Sequence, residues 1–256
     1  MAKAKSKVKA GSRALTDAQK KAFAKQCVEK FKADEHLFKT AASSVVSACL
    51  SDPVLKEYIH FIKHRTKDPK HLKDKLLRKM GEPPKRGKYR VINPSNLYRE
   101  VTDLAGVRIL HLYSDQIEAI NTRLLKIFEE QRYEVVEGPV ANCWDSDAET
   151  FYSALKFETK QRDSMYTSIH YTVRLNPETG VGCEIQVRTL ADEVWGEVSH
   201  TVNYPKPTKS VACLEQLKVL ARVTSGATWL VNSIFRSKAE SERRSKRVRR
   251  KKKPGD

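Results

Sequence analysis

No apolar run in this 256-residue chain approaches the about 18 residues that a membrane-spanning helix needs. The first segment, Met1 to Arg13, is basic and lacks the apolar block of a secretory signal, so a cytoplasmic chain without membrane contact is expected. Cysteine is sparse and scattered. Cys27, Cys49, Cys143, Cys183 and Cys213 form no Cys-x-x-Cys pair, and no histidine stands at zinc-ligand spacing from any of them. A disulfide framework and a structural zinc are thereby excluded, and buried reduced thiols remain. No internal repeat appears.

What is present is charge. Apolar residues make up 39% of the chain and charged residues 31%, with a formal net charge of +18. Residues 1–13 hold five Lys/Arg and no acid, and residues 237–256 hold ten against three acids, so the two ends supply +12 of that charge. The 223 residues between them carry only +6 and are long enough to bury a real core. The division that follows is a basic disordered tail at 1–13, a domain over 14–236, and a second basic disordered tail at 237–256.

Along the domain, Thr16-Asp17 opens a helical pattern in which Phe23, Cys27 and Phe31 recur every fourth residue. Leu37 to Cys49 fits a second helix. After Asp52-Pro53, the residues Val54, Tyr58, Ile59 and Ile62 keep helical spacing, and Pro69 starts a helix running to Met80. Val107 to Leu112 reads as a buried strand, Asp115 to Gln131 as a helix and Arg132 to Glu137 as a strand, whereas 138–164 shows no pattern. Tyr166 to Leu175 and Cys183 to Arg188 read as strands joined by a turn, and Leu190 to about Arg236 returns to helix. Helices first, alternating elements in the middle and helices last predict one α/β domain with helical ends.

Strand periodicity then places chemistry. Glu184, Gln186 and Arg188 project to one face of their strand, with Ile185 and Val187 opposite. Tyr166, Ser168, His170 and Thr172 likewise share a face. Two such strands side by side form either the floor of a cleft or a solvated sheet face, and His170 alone is as readily a structural hydrogen-bonder. Asp103 enters the strand that holds Gly106 and Arg108, and Gly106 permits close approach of backbone or ligand. If Asp103 and Glu184 converge, they can hold Mg²⁺ between protein and phosphates. Arg65, Lys67, Lys70, Lys73 and Lys75 line the start of a helix, a setting that favours polyphosphate and is otherwise a solvated face.

Taken in order, these segments resemble the synthetase domain of RelA/SpoT-family alarmone enzymes. Arg65, Lys67, Leu72 and Lys75 fit the family's Arg-x-Lys-x-x-x-Ser-Leu-x-x-Lys-like segment, with His71 where serine is common. Asp-Leu-Ala-Gly-Val-Arg-Ile stands at 103–109, the Tyr-x-Ser-x-His strand is Tyr166, Ser168 and His170, and Glu-Ile-Gln-Val-Arg-Thr stands at 184–189. Trp195 and His200 complete the pattern, which covers about residues 55–205. Met165 replaces the family's glycine before Tyr166, and Thr167 occupies a position that is often basic.

The resemblance implies a nucleotidyltransferase-like synthetase fold, a mixed β-sheet flanked by helices with helical extensions at both ends. It implies an ATP-dependent pyrophosphotransferase of the small, synthetase-only class, since the chain has no His-Asp pair of the family's hydrolase domain. The expected acceptor is GDP or GTP, giving (p)ppGpp and AMP in stringent-response signalling, with Mg²⁺ as cofactor. On this reading Arg65 and Arg108 grip adenine, and Lys67 and Lys75 hold the ATP phosphates. Asp103 and Glu184 carry catalysis, Asp103 binding the metal and Glu184 serving as second metal ligand or as base for the acceptor hydroxyl; Tyr166 stacks on the acceptor base, and His170, Gln186 and Arg188 position the acceptor or the phosphates. A toxic-type enzyme modifying the 3′ end of tRNA is the alternative, with tRNA or ribosome contact through the basic ends; a homo-oligomer through 211–235 also fits. The rival from another class is a non-catalytic basic nucleic-acid-binding module, in which Asp103 and Glu184 would be acids set against a polyanion.

Overall fold

The computed structural model of the chain describes residues 14–83, 88–203 and 207–251, the last four as backbone alone. Its helices are α1 (Asp17–Ala33), α2 (Glu35–Ser51), α3 (Leu55–Tyr58), α4 (Pro69–Gly81), α5 (Leu97–Glu100), α6 (Ile117–Glu130), α7 (Ser146–Ala154), α8 (Leu190–Asn203) and α9 (Val211–Lys251). Its strands are β1 (Phe61–Thr66), β2 (Ala105–His111), β3 (Glu134–Cys143), β4 (Glu158–Gln161), β5 (Ser168–Asn176) and β6 (Val181–Thr189). They form one sheet in the order β1-β2-β6-β5-β3-β4, with β2–β6 and β3–β4 parallel and the other pairs antiparallel. The mixed sheet with flanking helices is the architecture expected.

Sequence explains the layers. Thr16 and Gln19 exchange side-chain and backbone hydrogen bonds in a capping box that starts α1. Phe38, Ala41, Val45 and Cys49 line the buried side of α2, which lies across β1, β2 and β6. On α6, Ile120, Leu124 and Phe128 are buried, and the Phe128 ring meets Tyr171 of β5 edge-on. Ile109, Ile185, Val187, Tyr171 and Val173 point into this layer and are closed to solvent. Each good aliphatic burial contributes about 1.5–3 kcal/mol. Cys27, Cys49, Cys143 and Cys183 are buried free thiols. Among the described residues no helix is long and apolar enough to cross a membrane.

Three expectations give way. Val54 to Ile62 is helical for one turn only, held by Asp52, which accepts from the Val54 and Leu55 N–H groups and pairs with Arg123. The chain then becomes β1, because pairing with β2 outweighs an accidental helical spacing. The patternless 138–164 contains the second half of β3, α7 capped by Asp145, and β4. The bulged register of β3 hides its alternation, and at Gly138 (φ +102°) an added Cβ would lie 2.3 Å from the His170 carbonyl oxygen.

At the other end, residues 237–251 continue α9 where a disordered tail was expected. The run from Ala227 to Lys253 has no glycine or proline, and Arg244 pairs with Glu240 one turn earlier. The expected tail at 1–13 lies outside the described residues, as does 252–256.

Candidate active site

The helix-covered side of the sheet takes the odd-numbered residues of β2, β5 and β6, so the even-numbered ones face the other way. Register aligns them. Arg65 pairs with Gly106, Gly106 with Glu184, and Glu184 with Thr172. In the next row Lys63 pairs with Arg108, Arg108 with Gln186, and Gln186 with His170. A Cβ at Gly106 would meet only the Glu184 carbonyl oxygen, at 3.9 Å, so the floor between Arg65 and Glu184 is open.

One end of this face is built on Asp103, two residues before β2. Lys67, just after β1, and Lys75, on α4, each place Nζ 2.7 Å from the same oxygen, Asp103 Oδ2. Asp68 caps α4 by accepting from the Lys70 and His71 N–H groups, and Pro69 sits in the first turn, which aims Lys75 back at the site. Asp103 Oδ1 is buried and has no hydrogen-bond partner. Burial alone would raise the Asp103 pKa, but the charges of Lys75 and Lys67 outweigh it and hold it at about 2.

The other end is a polar network. Glu184 Oε2 accepts from Gln186 Nε2 at 2.7 Å, and Glu184 Oε1 lies 3.7 Å from His170 Nδ1. Burial pushes the Glu184 pKa up, and His170 more than offsets it, so the carboxyl stays below its ordinary range. The Tyr166 hydroxyl reaches His170 Nε2 at 3.1 Å and Gln186 Oε1 at 3.4 Å. Tyr166 precedes β5 instead of belonging to it, and Met165 before it has φ 57°, the left-handed conformation that explains glycine in the family pattern.

Arg188 is placed differently from the expectation. It shares a face with Glu184 and Gln186, but α8 covers it: its side chain is 2% exposed and its NH2 lies 2.6 Å from Glu193 Oε2. Its guanidinium carbon sits 5.7 Å from the centre of the Tyr166 ring, so Arg188 supports that ring from below. Arg108 also meets α8, with NH1 2.7 Å from Glu193 Oε1 and 2.5 Å from Glu197 Oε1. Arg65 is exposed on the edge strand.

Sequence reasoning missed several neighbours. Lys63 became visible only with β1 as a strand, because at two residues' spacing it shares a face with Arg65. Glu193 and Glu197 stand four apart on α8, a spacing that puts them on one helix face. Asn142, Lys160 and Arg162 line a cleft of about 140 Å³ with His170, Thr172 and Glu184. Arg162 Nε donates to the buried Asn142 Oδ1 at 2.6 Å, and Lys160 pairs with Glu137.

A family model described as the region found in RelA / SpoT proteins matches residues 64–209, more than half of the chain. The chain belongs to that family. Solved structures share its fold. The small alarmone synthetase 1 of Bacillus subtilis superposes with a TM-score of 0.58 at 20% identity, covering 83% of this chain and 99% of its own. A GTP pyrophosphokinase family protein from Streptococcus pneumoniae gives 0.52 at 19%, covering 89% and 97%. The small alarmone synthetase 2 of Bacillus subtilis gives 0.55 at 18%, covering 82% and 98%. No curated protein sequence matches the chain.

For a RelA/SpoT-region chain the metal question rests on two carboxylates. Among the described residues no group of three or more His, Cys, Asp or Glu side chains is set to hold a metal ion. Asp103 Oδ1 is bare, and Asp103 lies near enough to Glu184 for its charge to push the Glu184 pKa upward, so these two carboxylates are the donors that would hold Mg²⁺, which takes one or two carboxylates and completes its shell with water and substrate phosphate.

Proposed function

We propose that the protein transfers a pyrophosphoryl group from ATP to the ribose 3′-hydroxyl of GDP or GTP, forming (p)ppGpp and AMP. The observation that carries this reading is the opposition of two ends on one sheet face: the Lys67–Asp103–Lys75 cluster and the Tyr166–His170–Glu184–Gln186 network. Lys67 and Lys75 hold the ATP phosphates, and Arg65 and Arg108 take the adenine between planar guanidinium groups. Tyr166 presents its ring to the acceptor base, while His170 and Gln186 orient it and Arg162 and Lys160 attract its phosphates. The 3′-oxygen attacks the β-phosphorus, the bond from that phosphorus to the α–β bridging oxygen breaks, AMP leaves, and the hydroxyl proton passes to Glu184. Asp103 and Glu184 would hold Mg²⁺, which when bound neutralises charge developing on the transferred group. Relatives support the reading, one of them the Bacillus subtilis small alarmone synthetase 1 solved with its product pppGpp.

Labelled ATP, Mg²⁺ and a panel of GDP, GTP and tRNA, followed by product identification, test it. AMP release with label on a guanine nucleotide is expected; no labelled acceptor would sink the reading. A second acceptor, the 3′ end of tRNA, is favoured by one observation. Residues 237–247 of α9 are exposed and strongly basic, with Ala239 the one apolar side chain among them, which suits a polyanion better than a membrane. Removing 237–256 should then weaken labelling of tRNA and spare that of GDP. Intact protein that never labels tRNA overturns this second reading. A second copy of the chain is the partner proposed for the outward face of α9.

A further inference from the structure

We propose that Glu193 on α8 is a positioning residue that fixes the donor-side Arg108 and the acceptor-side Arg188 with one carboxylate. The inference rests on the synthetase reading and extends it to residues outside the motif segments. Glu193 Oε1 lies 2.7 Å from Arg108 NH1 and 2.6 Å from Lys63 Nζ, and Oε2 lies 2.6 Å from Arg188 NH2. Its side chain is only 11% exposed, so water screens these contacts little. Glu197 offers an internal comparison. It reaches Arg108 NH1 at 2.5 Å and Lys63 at 3.3 Å, with no ion pair to Arg188.

The two guanidinium groups lead to different substrates. Arg108 leads to the adenine side. Arg188 underlies the Tyr166 ring, whose hydroxyl reaches His170 and Gln186. Gly196, one turn after Glu193, completes the seat: a Cβ there would lie 2.4 Å from Arg188 NH1. Without the Glu193 charge, Arg108 keeps Glu197 but Arg188 keeps no ion-pair partner among the described residues, and the two guanidinium groups are left beside each other. A guanidinium left without its counter-charge in so enclosed a seat moves or destabilises it. Both nucleotide seats therefore loosen together when Glu193 is neutralised, and the donor seat alone when Glu197 is.

Calorimetric titration of the full chain with a non-hydrolysable ATP analogue and, separately, with GDP tests this. Glu193→Gln should weaken both affinities by about tenfold or more. Glu197→Gln should weaken only the ATP analogue. Gly196→Ala leaves every charge in place but displaces Arg188, and should weaken only GDP; it also keeps the test decisive if Glu193→Gln fails to fold, as circular dichroism would reveal. The proposal is overturned if Glu193→Gln affects a single nucleotide, or if Gly196→Ala leaves GDP affinity unchanged. Failure of the synthetase reading looks different, since the unaltered protein would then bind neither nucleotide.

Discussion

One oxygen of Asp103 is saturated by two ammonium groups and the other is bare, so an amide there removes both the lysine anchor and the free acceptor. Asp103→Asn and Glu184→Gln should each lower turnover at least about 100-fold with an unchanged circular dichroism spectrum; near-normal turnover in either removes the metal assignment. The Asp103 pKa falls from 3.8 to about 2, so its stabilising contribution is complete above 3.8 and is lost as pH drops through about 2. Activity near neutrality should show no titration from this group. Tyr166 is tied through its hydroxyl as well as its ring, so Tyr166→Phe should raise the KM for GDP several-fold by freeing His170. Tyr166→Ala should cost a further 1–3 kcal/mol or so of stacking. Equal KM for wild type and Tyr166→Phe would mean that the hydroxyl bond is idle. Met165 holds φ 57° at a cost of about 1–2 kcal/mol, of which the greater freedom of glycine in the unfolded chain takes back about half, so Met165→Gly should raise the melting temperature by about 1–4 °C. A lower melting temperature would show that the Met165 side chain contributes more than its backbone strain removes.

At the scale of elements, α8 starts directly after β6, and Thr189 caps it by accepting from the Asp192 N–H at 3.1 Å. Asp192 is half-buried, and the loss of water around its carboxyl raises its pKa to about 6 despite the hydrogen bond from Thr189. Between 3.8 and about 6 the folded chain holds a proton that the unfolded chain releases, so stability falls as pH rises through that window. Asp192→Asn should flatten this slope in melting curves taken from pH 4 to 7. An unchanged slope would place its origin elsewhere. How legible each element was follows from its surroundings. β6 and β5 bury one face and wet the other, so Glu184, Gln186 and His170 could be read from alternation alone. β1 sits at the sheet edge, where Val54, Tyr58, Ile59 and Ile62 imitate a helix and only the pairing with β2 decides, so Lys63 stayed hidden. The Arg188 face was read correctly, yet its covering by α8 is a tertiary fact that no strand pattern carries.

On the scale of the whole molecule, α9 has two unlike sides. Leu217, Ala221, Thr224, Thr228 and Asn232 are buried against the domain, where Trp195 Nε1 donates to the Leu217 carbonyl at 3.1 Å and Asn232 Nδ2 donates to Asp115 Oδ1 at 2.9 Å. The opposite side bears Val219, Val223, Leu230 and Ile234, each more than half exposed. Gly226 lies between them with nothing within 4 Å of an added Cβ. Such a stripe is longer than the scattered apolar residues a monomer exposes without consequence. Its spacing suits the second copy proposed as its partner. Val219 and Ile234 lie equally far from a centre at Gly226–Ala227, as do Val223 and Leu230, so an antiparallel copy sets Val219 on Ile234 and Val223 on Leu230. The small centre lets the two helices approach, and the basic last turns point away from each other at opposite ends. Sedimentation of the intact chain at micromolar concentration should therefore give at least twice the 29.2 kDa chain mass. Val223→Glu with Leu230→Glu should return it to a monomer with unchanged helicity, because four carboxylates would then face one another across the pair. A monomeric mass for the unaltered chain ends the dimer proposal, whereas an oligomer that survives both substitutions assigns the contact to another surface.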